Sequence, residues 1–310
     1  MKINPFRVLK LSFLTSLAHR FSFTLTLLLS IGAEAQNPVL VAEGSQLNLV
    51  SDQFSFTEGP AVNKNGDVFF TDQPNNKIWK YSKKGKLSVY MDEAGRSNGL
   101  FFDAKGNLLA CADGDNELWR IDKKKNAEIL TKNWDNKRLN GPNDLWIDTK
   151  GGIYYSDPFY KRPYWKHTEI EQEARRVFYR KPNGQVIIVE ADFKQPNGLI
   201  GNTKTNKLYL TDIGNKKTFV YDMLPDGSLA NKVLFCEQGS DGMTIDELGN
   251  IYLTGKGVSV YNKNGEKIEQ IDVPENWTAN ITFGGKDRKT LFITASKSVY
   301  TLQMNVKGAQ

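Results

Sequence analysis

Residues 241–255 read DGMTIDELGNIYLTG: a polar residue and a glycine, a short apolar stretch, a turn around Gly249, and a second apolar run ending in Gly255. The same unit recurs along the chain. It runs from Glu58-Gly59 to the VFFTD ending at Asp72, and from Asn98-Gly99 to the LLACAD ending at Asp113. It returns from Asn143-Asp144 to Asp157, from Asn197-Gly198 to Asp212, and from Asn280-Ile281 to Ala295. The leading positions 58, 98, 143, 197, 241 and 280 are spaced by 40, 45, 54, 44 and 39 residues. Between the units lie further short runs rich in β-branched and aromatic residues, such as KIWKYS, ELWRID, TFVYD and VSVYN. Short strands with frequent turn signals and no helical periodicity read as all-β. A repeat of about 40–50 residues is the size of one four-stranded propeller blade. Six copies predict a six-bladed β-propeller over residues 36–310. The last copy has room for only three strands, so the segment 39–57, with LNLV, is expected to pair with the C-terminal strand and close the ring. Closure leaves no open sheet edge.

In a propeller, the first strand of each blade lines the central channel. The six leading residues therefore converge at one end of it: Glu58, Asn98, Asn143, Asn197, Asp241 and Asn280. All six are oxygen donors. Converging carboxylates repel and are costly to desolvate without a cation. A divalent ion relieves that repulsion, and an all-oxygen set selects a hard one, Ca²⁺ first and Mg²⁺ or Mn²⁺ next. The competing explanation for any single Asn is a turn residue capping an inner strand; six in register favour the ring.

Composition narrows the chemistry. The 310 residues contain only two His and two Cys against 35 Asp and Glu. Zinc–thiolate centres and Ser-His or Cys-His catalysis lack their usual residues. Residues 1–35 carry Lys2, Arg7, Lys10 and Arg20, then the apolar run 21–31 and an Ala33-Glu34-Ala35 cleavage pattern. This reads as a secretory signal peptide cut after Ala35, giving a secreted or periplasmic protein with no membrane association afterwards. The segment holds four basic residues and one Glu, so its loss lowers the net charge from +6 to +3. His19 leaves with it, and His167 remains as the only histidine. No basic cluster with interleaved aromatics marks a nucleic-acid partner. Cys111 and Cys236 lie in different repeats and read as separate buried thiols. Oligomeric state is left open by these residues.

Further candidates flank the ring. Asp157 and Asp212 end second strands on the ring's side, as Asp72 and Asp113 do, and are expected to contact substrate hydroxyls or to cap turns. Arg138, in KRLNGPND, is a candidate for holding a substrate oxygen, as is Asn98. The third unit is the longest, and residues 158–176 (PFYKRPYWKHTEIEQEARR) read as a loop or lid beside the site. His167 within it reads as a solvated loop residue.

The motifs FTEGPAV (56–62), KRLNGPNDLWID (137–148), QPNGLI (195–200), SDGMTIDELGNIYLTG (240–255) and TANITFGGKDRKTLFITASKSVY (278–300) carry a resemblance. In this order the chain resembles the SMP-30/gluconolactonase/LRE family, nearest its bacterial gluconolactonase branch. That resemblance implies a six-bladed propeller with one catalytic divalent metal, Ca²⁺ or Zn²⁺. It implies Glu58, Asn143, Asn197 and Asp241 as metal ligands, with Asn143 also within reach of substrate. The implied activity is opening of a sugar-acid lactone, with Asp241 assisting attack of water or attacking directly. Rival readings are a phosphotriesterase-like or other hydrolase on the same metal, and a non-catalytic ligand-binding propeller. The animal members carry an Arg two residues before the Asn of PND, where this chain has Gly141; Arg138 is the candidate replacement. Bacterial members often carry a His where this chain has Asp113.

Overall fold

The computed structural model describes residues 39–310, so the expected signal peptide lies outside the described residues. Six four-stranded antiparallel sheets follow one another along the chain. The first blade comprises β2 (Thr57–Val62), β3 (Val68–Asp72), β4 (Lys77–Tyr81) and β5 (Leu87–Asp92). The second comprises β6 (Ser97–Phe102), β7 (Leu108–Ala112), β8 (Glu117–Ile121) and β9 (Ala127–Thr131). A small hairpin, β10 (Asn133–Trp134) and β11 (Lys137–Arg138), precedes the third blade: β12 (Leu145–Ile147), β13 (Ile153–Asp157), β14 (Arg176–Arg180) and β15 (Val186–Glu190). The fourth comprises β16 (Pro196–Asn202), β17 (Lys207–Asp212), β18 (Lys217–Met223) and β19 (Leu229–Cys236). The fifth comprises β20 (Met243–Ile245), β21 (Ile251–Gly255), β22 (Gly257–Tyr261) and β23 (Lys267–Ile271). The sixth joins β24 (Thr278–Gly284), β25 (Thr290–Ala295) and β26 (Ser298–Gln303) to β1 (Asn48–Ser51).

The ring closes as the sequence predicts. Strand β1 pairs antiparallel with β26, setting Asn48 opposite Thr301 and Leu49 opposite Tyr300. Inner strands touch in cyclic order around the molecule. Burial falls outward: β24 and β13 are buried at every residue, whereas β9 is mostly exposed. That gradient explains the sequence pattern. Inner and second strands are both largely buried; the second strands read as near-continuous apolar runs, as strands covered on both faces do, whereas the inner strands open on polar residues and glycine. Outer strands are mostly half-buried or exposed.

Aromatic side chains cement the blade interfaces. Phe70 of the first blade and Phe292 of the sixth are fully buried with ring centres 5.4 Å apart. Phe54 meets Phe70 edge-on at 5.2 Å. Burying each such side chain contributes about 1.5–3 kcal/mol, so this cluster locks the closing blade to the first. Cys111 and Cys236 are both buried and free, in β7 and at the end of β19. Their burial raises both thiol pKa values, which leaves them unreactive.

Candidate active site at one end of the channel

Glu58, Asn98, Asn197 and Asn280 lie at the start of inner strands where the backbone is irregular, and Asn143 and Asp241 lie two residues before β12 and β20. The β2–β3 register slips between Glu58 and Ala61, β6–β7 between Ser97 and Leu100, β16–β17 between Pro196 and Leu199, and β24–β25 between Thr278 and Asn280. A bulge bends its strand and redirects the side chain there. The glycine after the ring residue lets the next blade come close. A Cβ on Gly59, whose φ is +44°, would stand 2.0 Å from the Asn98 carbonyl oxygen. One on Gly242 would stand 2.0 Å from the Asn280 carboxamide carbon. The third unit has Asp144 where four others have glycine, and that substitution places another carboxylate in the ring.

The carboxylates act on each other. Glu58 is 2% exposed, and burial followed by the charge of Asp241 raises its pKa well above the ordinary range. The Gly59 N–H donates to Glu58 Oε2 at 2.8 Å and opposes that rise, and the charge of Asp144 adds to it. Asp144 is pushed up to about 7, by burial first, against hydrogen bonds from the Leu145 and Leu199 backbone. Asp241 is raised to about 6 by burial, against hydrogen bonds from Trp277 and Asn197 and the charge of Arg162. Trp277 Nε1 donates to Asp241 Oδ2 at 2.6 Å, and Asn197 Nδ2 donates to Asp241 Oδ1 at 2.8 Å. The Asn280 amide opposes the rise at both Glu58 and Asp144.

This donor set fits a hard divalent cation. Glu58, Asp144 and Asp241 bring three carboxylates to one place, and Arg162, whose charge acts on Asp241, is already tied to Asp113. The side-chain oxygens of Asn98 and Asn197 are buried without a hydrogen-bond partner among the described residues. A buried unpaired amide oxygen is costly, and a cation would satisfy it. Among the described residues no three His, Cys, Asp or Glu side chains cluster in metal-ligand geometry. A metal here would therefore draw on amide oxygens as well as Glu58 and Asp241.

The strand-end aspartates divide into two groups. Asp157 accepts from the Asn140 and Gly141 backbone N–H groups, at 2.9 Å each, and from Gln172. Asp212 accepts from the Lys194 and Gln195 N–H groups at 3.0 and 2.9 Å, and Asp72 from those of Ser55 and Phe56. These carboxylates hold the loop entering their own inner strand and spend their oxygens on it. Asp113 differs. Its Oδ2 accepts from Arg162 Nε at 2.8 Å, Tyr164 Oη at 2.6 Å and Gln73 Nε2 at 3.0 Å, and its carbonyl accepts from Trp165 Nε1 at 2.6 Å. Asp113 thus anchors the 158–176 insertion over the ring. From that insertion Tyr160 accepts a 2.6 Å hydrogen bond from Asn197 Nδ2, and the Arg162 guanidinium stacks on Tyr160 at 5.3 Å.

Arg138 lies in the β10–β11 hairpin and pairs with Glu171 at 2.9 Å. The cation whose field reaches Asp241 and Glu58 is Arg162. His167 is half-buried and stacks on Trp165 with ring centres 4.7 Å apart, where a solvated loop residue was expected.

The SMP-30/gluconolactonase/LRE-like region matches residues 56–297. The chain belongs to this family. It is 27% identical over 293 residues to a gluconolactonase of Zymomonas mobilis, covering 84% of this chain and 82% of that protein. It is 25% identical over 274 residues to the diisopropyl-fluorophosphatase of Loligo vulgaris, covering 79% and 87% of the two chains. The solved gluconolactonase of Xanthomonas campestris superposes with a TM-score of 0.79 at 24% identity, over 86% of this chain and 95% of the other, a likeness of fold.

Sequence reading did not single out Asp144, Tyr160, Arg162 or Trp277. Asp144 had a signal: it is the one charged residue at a position that is glycine in four of the six units. The other three come from loops outside the repeat, where periodicity is silent.

Proposed function

We propose that the chain is a lactonase that opens sugar-acid lactones at the channel end marked by Glu58, Asn143, Asn197 and Asp241. The observation that carries this reading is the convergence of three buried, mutually repelling carboxylates with unpartnered amide oxygens. The lactone-hydrolysing relatives support the choice of bond. Glu58, Asn143, Asn197 and Asp241 would hold one divalent cation, Ca²⁺ in the first place, with Zn²⁺, Mg²⁺ or Mn²⁺ as alternatives. When bound, such an ion polarises a carbonyl and offsets the charge of an oxyanion.

The chain's own groups supply the rest. Trp277 and Asn197 orient Asp241 by engaging one oxygen each, fixing its carboxylate toward the channel. Asp241 takes the proton of the attacking water at a carboxylate oxygen, the general-base role. Asn98 offers an amide to substrate hydroxyls. Tyr160 and Arg162 cover the ring and restrict water. Export to the periplasm or medium, with cleavage after Ala35, belongs to the same proposal, and N-terminal sequencing of the mature protein tests it.

The likeness to a fluorophosphatase favours one second reading, phosphotriesterase-like hydrolysis of an organophosphate at phosphorus on the same residues, with fluoride leaving from diisopropyl fluorophosphate. Turnover of D-glucono-1,5-lactone and diisopropyl fluorophosphate, each with and without chelator, separates the two. Lactone turnover that stops with chelator and returns with Ca²⁺ is the expected result. Turnover of the fluorophosphate alone, or of neither, overturns the lactonase reading.

A further inference from the structure

Beside the ring, the insertion and the rim of the first two blades enclose a cleft of roughly 500 Å³. Phe56, Gln73, Arg96, Arg162 and Tyr164 line it with two prolines, and among the described residues no Asp or Glu lines it. Two arginines line this one space. Arg162 spends Nε on Asp113 and leaves both terminal nitrogens without a protein acceptor among the described residues. Arg96 adopts a left-handed backbone with φ of +48°. Its N–H donates to Asn76 Oδ1 at 2.6 Å and its Nη1 to the Pro74 carbonyl at 2.6 Å. Its guanidinium lies 4.5 Å from the Tyr164 ring centre. A non-glycine residue persists in such a conformation only where its surroundings impose it, so Arg96 is held in place.

Arg162 pairs with Asp113, and Arg96 makes no ion pair among the described residues. Planar guanidinium forks match carboxylate, phosphate and sulfonate oxygens two at a time. Two of the lining residues, Phe56 and Arg162, connect the cleft to the ring. Phe56 stands two residues before Glu58, and Tyr160 touches both Arg162 and Asn197. A ligand engaged at the ring would extend its far end toward these arginines.

We infer that this cleft is an anion subsite, and that the substrate is a sugar-acid lactone bearing an anionic group at the end remote from its carbonyl. The substrate class rests on the lactonase reading; the anion subsite does not. Calorimetric binding of 6-phospho-D-gluconate, D-glucarate and D-gluconate to the Ca²⁺-loaded protein tests the subsite without turnover. 6-Phospho-D-gluconate or D-glucarate, each with a remote anionic group that D-gluconate lacks, binds at least about tenfold more tightly than D-gluconate, as charge-assisted contacts imply. Arg96→Gln and Arg162→Gln each narrow that gap, and kcat/KM for 6-phospho-D-glucono-1,5-lactone falls further than for the neutral lactone. The order of the two anionic ligands distinguishes a phosphate site from a carboxylate site. Equal binding of D-gluconate and the ligands with a second anionic group, or a gap unchanged in both variants, overturns the inference. A binding gap without turnover of either lactone sinks the lactonase reading and leaves the subsite; turnover without a gap does the reverse.

Discussion

At the scale of single residues, the site is built by pairs: an oxygen donor and the residue after it. Glycine in the second place permits the close approach of the next blade. Gly242→Ala would put a methyl group 2.0 Å from the Asn280 carboxamide, and strain of this kind costs about 1–3 kcal/mol. Thermal denaturation of that variant should show a lower Tm, and the displaced Asn280 should lower activity with it. Asp144 tells the opposite story, because there the second place is itself a ring carboxylate. Asp144→Asn keeps the shape and removes a charge beside the ligand set, so divalent-ion affinity should fall about 10–100-fold, the usual effect of an outer partner. Titration of Ca²⁺ into the variant measures it. The ring was legible because it obeys the repeat. Arg162 and Trp277 were not, because what brings them to Asp241 is the path of two loops, and loop paths leave no period.

At the scale of elements, the 158–176 insertion depends on one anchor. Asp113→Ala strands the Arg162 guanidinium, which is about one-fifth exposed, without its carboxylate. Removing one partner of a buried pair typically costs about 3–5 kcal/mol, and here the cost falls on the insertion. Limited proteolysis should cut within 158–176 faster than in the wild type, and KM should rise. A second anchor lies between the third and fourth blades. Glu190 accepts from Tyr221 Oη, from Lys232 Nζ at 2.7 Å and from two backbone N–H groups. Burial alone would raise its pKa, yet Lys232 and these hydrogen bonds bring the net value below the ordinary one. A depressed carboxylate stabilises the fold above its unfolded pKa and loses that contribution as pH falls through the folded one. Glu190→Gln should therefore cost about 1–2 kcal/mol near neutral pH, and the difference from wild type should shrink below pH of about 4. Denaturant unfolding across that range checks it. The strand-end aspartates show why sequence reading stops short: Asp113 and Asp157 end the same strand of adjacent repeats. One caps its own backbone and the other holds an insertion.

At the scale of the whole molecule, the fold was readable because a propeller is a sum of similar units, and its spacing is written in the chain. Closure was readable for the same reason, since the sixth copy lacks a strand that β1 supplies. Deleting residues 39–51 should open that edge. The prediction is a drop in Tm and concentration-dependent association, measured by light scattering, because an uncovered sheet edge templates pairing. The activity is a claim about the ring as a unit, with Asp241 at its chemical centre. Its most direct test is kcat/KM for lactone hydrolysis by the wild type and Asp241→Asn, both saturated with Ca²⁺ and matched in Tm. A loss of at least about a hundredfold is predicted for the variant, the scale on which removing a catalytic proton acceptor acts. Turnover within a few-fold of the wild type would contradict the account.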